Sequence, residues 1–206
     1  INSVRSSFFN DTLLGNANSN RFIIEGGNNN VDGRGGTDEV SYNSNNIGGV
    51  TVNLATGTAT NSQGGTDTLT SIETVIGSKF GDTITGDALD NFLDGREGDD
   101  TIFGGAGDDR NIRGRDGNDA LFGNAGDDSL RGDAGDDAID GGAGTDTAHF
   151  NGNAADYTIV RETDGSLTVT DNVGTDGTDT VKDVEFLRFA DQTLSVPAAT
   201  PDTNSV

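Results

Sequence analysis

The sequence contains no cysteine, which excludes disulfide bridges and cysteine-based zinc sites. Basic residues are scarce as well. Lys and Arg number 12 against 35 Asp and Glu, and the formal net charge is −23. Such a charge repels nucleic acids and anionic membranes. The composition therefore favours cations as ligands.

Apolar residues make up only 31% of the chain, and no apolar run approaches the length that spans a membrane. This polarity is typical either of disorder or of a fold that depends on a metal. His149 is the single histidine, whereas a zinc metalloprotease needs several. No Gly-x-Ser-x-Gly motif supports a Ser-His-Asp triad, and no carboxylate pair stands out as that of a glycosidase. We therefore expect a protein that is not an enzyme, with His149 as an outward strand residue.

What the sequence does contain is a nine-residue repeat, strong over Gly77–His149 and weaker over Phe9–Val40. The sixth position of each unit is Asp or Asn, the eighth is apolar, and glycines occupy the first and fourth positions of most units. A fixed period of this kind indicates a repeat architecture. The sixth positions are Asp11, Asn20, Asn29, Asp38, Asp82, Asn91, Asp100, Asp109, Asp119, Asp128, Asp137 and Asp146.

A single apolar residue per unit cannot form a core, but stacked units can fill one narrow interior with their eighth positions. If two units make one coil, the sixth-position carboxylates of units n and n+2 become neighbours. These carboxylates repel each other unless a cation lies between them. A site made only of oxygen ligands selects Ca²⁺ over softer metals.

The units resemble the RTX (hemolysin-type calcium-binding) nonapeptide, Gly-Gly-x-Gly-x-Asp-x-apolar-x, and Gly104–Asp109 and Gly141–Asp146 match its first six positions fully. The resemblance implies an all-β fold, a parallel β-roll. It implies about eight Ca²⁺ ions bound by the sixth-position residues, with weaker sites at Asn20, Asn29, Asn91 and beside an extra residue at Arg110. Backbone carbonyls of the turns should complete the sites, at Gly95, Gly98, Gly104, Gly107, Gly114, Gly117, Gly123, Gly126, Gly132, Gly135, Gly141 and Gly144.

Two segments outside the repeat are near copies of each other, Gly65–Val75 and Gly177–Leu187. We predict that each caps the repeat block before it, because repeat stacks need caps. The expected organisation is a first β-roll block at 1–42, a capping β element at 43–76, the main β-roll block at 77–150, a second capping element at 151–195, and a linker or disordered tail at 196–206.

The resemblance also implies a function: a non-catalytic Ca²⁺-binding module of a secreted bacterial protein, exported by a type I system and folding on Ca²⁺ outside the cell. Two alternatives stay open. One is a self-assembling extracellular adhesion, surface-layer or filament subunit. The other is the C-terminal module of a secreted enzyme whose catalytic domain lies upstream.

The outward strand positions raise two hypotheses about contacts. Phe103 and Phe122 should be neighbours on one sheet, as a patch through which a homo-oligomer or filament could form. On the other sheet, Arg113, Arg131 and His149 should stack beside Arg110 and suit acidic groups. The outward positions are too mixed for an ice-binding plane.

Overall fold

The computed structural model describes residues 3–44 and 47–197 and shows a parallel β-roll that is almost entirely β-structure. Short strands alternate between two facing sheets, and polar turns rich in glycine join them. The strands are β1 (Ser3–Arg5), β2 (Thr12–Leu14), β3 (Arg21–Ile23), β4 (Asn30–Asp32), β5 (Glu39–Ser41), β6 (Thr51–Asn53), β7 (Thr58–Thr60), β8 (Thr66–Thr70), β9 (Thr74–Ile76), β10 (Thr83–Thr85) and β11 (Phe92–Glu97). They continue with β12 (Thr101–Ala106), β13 (Asn111–Asp116), β14 (Ala120–Ala125), β15 (Ser129–Ala134), β16 (Ala138–Ala143), β17 (Thr147–His149), β18 (Tyr157–Arg161), β19 (Leu167–Asp171), β20 (Thr178–Lys182), β21 (Phe186–Arg188) and β22 (Thr193–Ser195).

Strand order shows how the coil is wound. Sheet A runs β1-β3-β5-β9-β11-β13-β15-β17-β21-β22, and sheet B runs β18-β19-β20-β16-β14-β12-β10-β6-β7-β8-β4-β2. Successive repeat strands therefore fall on opposite sheets, and each pairs in parallel with the strand two units away, as β12 does with β14. Two units make one full coil, as the period predicts.

Through the repeats, the core is the file of eighth-position side chains between the two sheets, and Phe150, Tyr157 and Phe189 widen it near the C-terminal end. Ile102, Ile112 and Leu121 have no exposed surface, and Ile102 and Leu121 are directly paired across β12 and β14. The residues on either side of each apolar residue point outward, as the two-residue period of a strand requires. Burying each such side chain contributes about 1.5–3 kcal/mol. The roll is therefore stable only because many repeat units each add one such buried side chain.

Two separate repeat blocks are not confirmed, because one roll runs through both. In sheet A, β5, β9 and β11 pair in parallel without interruption. In sheet B, residues 43–76 contribute an antiparallel meander, β6-β7-β8, between β4 and β10. This segment was expected to cap the first block. It instead joins the two repeat regions as part of the sheet.

The same meander recurs at the C-terminal end, where β18-β19-β20 follows β16 in sheet B and β21 follows β17 in sheet A. Here no repeat strand follows in the described residues. Sheet A ends with β22, which pairs antiparallel with β21. The predicted tail falls outside the described residues from position 198 onward.

Across residues 3–44 and 47–197, no helix is both long and apolar enough to cross a membrane.

Leu121→Ala should lower the free energy of unfolding by about 2–5 kcal/mol, because it opens a cavity in a core one side chain wide. Leu89→Ala is the matched control, since Leu89 is 60% exposed in a turn, and its cost should stay within about 0.5 kcal/mol. Urea unfolding at saturating Ca²⁺ measures both. Equal losses of unfolding free energy in the two variants would contradict a core built from the eighth-position side chains.

Candidate metal centre

The sixth-position side chains form ladders along the two edges of the roll. The backbone N–H of Asp100 donates to Oδ1 of Asp119 at 2.8 Å, and that of Asp109 donates to Oδ1 of Asp128 at the same distance. Each link joins a turn to the turn two units later, which is the n to n+2 proximity expected from the period. The same link joins Asp11 to Asn29, Asn20 to Asp38, Asp82 to Asp100, Asn91 to Asp109, Asp119 to Asp137, and Asp128 to Asp146.

Four acids that the repeat did not identify continue these ladders. The carboxylates of Asp67 and Asp179 accept the N–H groups of Asn29 and Asp137 at 2.8 and 2.9 Å. Glu73 and Glu185 accept those of Asp38 and Asp146 at 2.8 and 2.7 Å. All four come from the two near-copy segments. Their signal in the sequence is an acid two residues before a buried apolar residue, as in Asp67-Thr68-Leu69 and Glu185-Phe186-Leu187.

Seven sixth-position carboxylates in the described part of the chain have a second oxygen with no hydrogen-bond donor. These side chains are at most 3% exposed. A buried unpaired charge costs several kcal/mol unless an ion compensates it. The oxygens are Oδ2 of Asp38, Asp100, Asp109, Asp119, Asp128, Asp137 and Asp146.

Glycine lets the backbone close around these oxygens. A Cβ at the first-position glycine of a turn, such as Gly104 or Gly132, would collide with the turn's own carboxylate oxygen. The fourth-position glycines have positive φ, +114° at Gly107 and +132° at Gly135, where a side chain is strained. Strands β11 to β16 each extend for six residues into these turns, while the earlier repeat strands have three. From β11 to β16 the parallel pairing of the strands therefore continues into the turns.

At the remaining sixth positions the side chains find hydrogen-bond partners within the protein, apart from the Nδ2 of Asn91. Oδ2 of Asp82 accepts the N–H of Ser78 at 2.6 Å, and Oδ1 of Asn91 accepts that of Asp87 at 2.8 Å. Asp11 and Asn20 accept the N–H of the residue four positions earlier in the same way, and the Asn29 amide donates to Asp67. The Nδ2 of Asn91 is buried and has no hydrogen-bond partner.

A hard cation fits the seven turns with an orphaned oxygen. Within the described ranges no three His, Cys, Asp or Glu side chains converge, so carboxylates alone cannot fill a coordination shell. Ca²⁺ takes six to eight oxygen ligands and accepts backbone carbonyls among them. The glycine-rich turns supply those carbonyls next to each carboxylate.

Burial dominates the electrostatics of the ladders. It raises the pKa of Asp100 and Asp179 to about 8, that of Asp109 and Asp119 to about 7, and that of Asp137 to about 6. The backbone N–H bonds lower each pKa but do not offset burial, and neighbouring acids raise it further. Burial therefore favours the protonated form of these groups when no cation is bound.

The extra residue at Arg110 does not interrupt the ladders. It forms a bend between Asp109 and β13, and β13 keeps its parallel register with β11 and β15. The links that span it simply join residues 19 apart instead of 18. The turns on either side keep orphaned carboxylate oxygens, so the geometry gives no reason for weaker sites here.

Phe103 and Phe122 are neighbours on the outer face of sheet B, as the strand period indicates. Their rings are stacked, with centroids 4.8 Å apart and planes inclined by 11°. Each ring covers a face of the other, which leaves both half-buried.

A family model described as the RTX calcium-binding nonapeptide repeat matches residues 73–110 and 113–148 in four copies. The matched ranges contain six of the seven turns with an orphaned oxygen, and the gap between them lies beside Arg110. No curated protein matches the chain. The resemblance to RTX repeats is confirmed for these residues, which form a calcium-binding β-roll.

Asp119→Asn should remove about one bound Ca²⁺ per chain, because a neutral amide turns a donor toward the site. Asp82→Asn is the matched control and should leave the number of ions unchanged, since both Asp82 oxygens already accept hydrogen bonds. Native mass spectrometry in Ca²⁺ counts the ions. Equal losses in the two variants would show that orphaned oxygens do not mark the sites.

In EGTA, β-sheet content should increase as the pH is lowered from about 8 to about 5. The pKa of each ladder Asp is higher in the folded chain than in the unfolded one, so the folded state binds more protons and its stability falls as the pH rises through this window. Saturating Ca²⁺ should remove or reverse the trend, because the metal binds the deprotonated form. Far-UV circular dichroism measures both series. Loss of sheet on acidification in EGTA would contradict the expectation.

Proposed function

We propose, from the RTX repeats at residues 73–110 and 113–148, that this chain is a non-catalytic module that folds on binding Ca²⁺ outside the cell. One observation carries the proposal: seven buried sixth-position carboxylate oxygens in the described residues have no hydrogen-bond donor. A protein that folded without a cation would have to keep these groups protonated or unpaired.

The proposed ligands are Asp38, Asp100, Asp109, Asp119, Asp128, Asp137 and Asp146, with carbonyls of the adjoining turns, including the glycines named above. Asp67, Glu73, Asp179 and Glu185 complete the ladders at their ends. This set suggests about seven ions per chain, one for each orphaned oxygen. Bound Ca²⁺ supplies the positive charge that holds successive turns together.

Coupling between binding and folding follows from the size of the core. Each repeat turn buries one apolar residue, whereas ordering its nine residues costs on the order of 1–2 kcal/mol per residue. Because the sites require two turns in register, they do not exist in the unfolded chain. The free energy of Ca²⁺ binding is then available for folding.

The surroundings of His149 support a role without catalysis. Its Nε2 lies 2.8 Å from Oγ of Ser129, and in the described part of the chain no carboxylate hydrogen-bonds to its ring. Burial and the charges of Arg131 and Arg188 lower the pKa of His149 to about 4. A general base needs a pKa near the working pH and a group that orients it. This histidine has neither.

RTX repeats are typical of proteins secreted by type I systems, and we extend that location to this chain. The absence of cysteine is compatible with it. Cytosolic Ca²⁺ is too low to fill such sites, so the chain would stay unfolded until it reached Ca²⁺ outside.

Far-UV circular dichroism at neutral pH should show a largely unfolded chain in EGTA and a β-sheet spectrum in millimolar Ca²⁺. Mg²⁺ at the same concentration is the control and should not restore the sheet, because it demands a small octahedral shell that these turns do not offer. The same sheet content in EGTA and in Ca²⁺ would refute Ca²⁺-dependent folding.

A further inference from the structure

Basic side chains line up across the outer face of sheet A. Arg113 and Arg131 are paired positions on β13 and β15, and His149 and Arg188 are paired positions on β17 and β21. We call these four residues the basic strip. Adjacent strands are about 4.8 Å apart, so the strip presents a basic or imidazole group at each step across the sheet.

Two of these arginines have no acidic partner. Arg113 pairs with Asp133, but in residues 3–44 and 47–197 no carboxylate lies within 4.0 Å of the guanidinium of Arg131 or Arg188. Arg131 makes only a hydrogen bond to Asn151, at 3.3 Å. In the sheet register Arg131 and Arg188 lie on either side of His149, about two strand spacings, or roughly 10 Å, apart. An extended anion can contact both guanidinium groups.

The surroundings of the strip suit a sugar better than a bare ion. A groove of about 510 Å³ lies beside it, with Arg110 and Arg188 among its lining residues. The hydroxyl groups of Ser129, Thr147 and Thr193 also line this groove, and Ser129, Thr147 and Phe186 are successive paired positions. Hydroxyl groups and an aromatic ring beside guanidinium groups match a saccharide that carries an acidic substituent.

The acidic residues of the groove are compatible with an anion. Asp127 and Asp128 also line it, and Asp128 has one of the orphaned oxygens. Ca²⁺ bound at that turn neutralises charge on the same side of the groove. An anionic ligand should therefore bind only the Ca²⁺-loaded roll.

We propose that the basic strip and its groove bind an anionic glycan. Carboxylate or sulfate groups contact Arg131 and Arg188, and sugar hydroxyls contact Ser129, Thr147 and Thr193. Guanidinium forms paired hydrogen bonds with carboxylate and sulfate oxygens alike. The site therefore selects a negatively charged sugar and does not by itself distinguish a carboxylate group from a sulfate group.

The test measures binding of three polymers to the Ca²⁺-loaded chain by isothermal titration calorimetry: hyaluronan oligosaccharides, dextran sulfate and neutral dextran. Binding of at least one charged polymer, without binding of dextran, is expected. Whether hyaluronan or dextran sulfate binds identifies a carboxylate or a sulfate ligand. Binding of neither, or equal binding of dextran, overturns the proposal.

Two double variants with the same change in charge locate the site. Arg131→Gln with Arg188→Gln should weaken binding by about tenfold or more, whereas Arg34→Gln with Lys79→Gln should change it less than twofold. Arg34 and Lys79 are exposed, unpaired in the described residues and remote from the strip. Equal effects would show binding driven by net charge alone and would overturn the site.

Sedimentation of each variant separates the glycan from a second copy of the chain as the occupant. Self-association of the parent chain that the strip variant abolishes, without glycan binding, would refute the proposal. Circular dichroism in Ca²⁺ should show the same sheet content in both double variants, so a loss of binding cannot come from a loss of fold. If Ca²⁺-dependent folding itself fails, these circular dichroism spectra show it before any glycan is added.

Discussion

The roll depends on one interaction, the hydrogen bond from a sixth-position N–H to a carboxylate two turns later. A turn with a single apolar residue cannot hold its neighbour by burial alone. The bond sets the spacing and register of successive turns, and it brings a second carboxylate oxygen into the interior of the turn. The proposed dependence on a cation follows from that second oxygen, because no group in the described residues donates a hydrogen bond to it in seven of the turns.

The ladders contain turns of two kinds, and the difference lies in where that oxygen goes. At Asp82 and Asn91 the backbone N–H four residues earlier donates to that oxygen. At Asp100 and Asp109 no donor reaches it, although the first glycine of the turn lies similarly close to the side chain in both kinds of turn. The self-satisfied turns lie over β1 to β4 and β9 to β11, ahead of the glycine-rich ones.

Much of this architecture could be predicted from the sequence, because the glycine, acidic and apolar positions all recur with the same nine-residue period. Burial at Ile102 and Leu121, the n to n+2 ladder and the neighbouring rings of Phe103 and Phe122 all follow from the period. The joining role of residues 43–76 could not be predicted, because strand pairing between distant segments leaves no mark in a local pattern. Glu73 and Glu185 were not identified from the sequence, because each places Glu at the position where the repeat has Asp. The self-satisfied state of Asp82 depends on a Ser78 contact that spacing alone does not reveal.

Every rung of the ladders has the same polarity: the donor belongs to the earlier turn and the acceptor to the later one. Removing the first turn of a ladder would leave a carboxylate of a later turn without its N–H donor, and water can solvate that carboxylate. Trimming from the C-terminus would strip the acceptor from a buried amide, as at Asp146, whose partner is Glu185. During folding the same asymmetry means that a sixth-position N–H finds its acceptor only once the turn two units later is in place. In the described residues the near-copy segment Gly177–Leu187 supplies the last acceptors, Asp179 and Glu185, and without them the amides of Asp137 and Asp146 would be buried and unpaired.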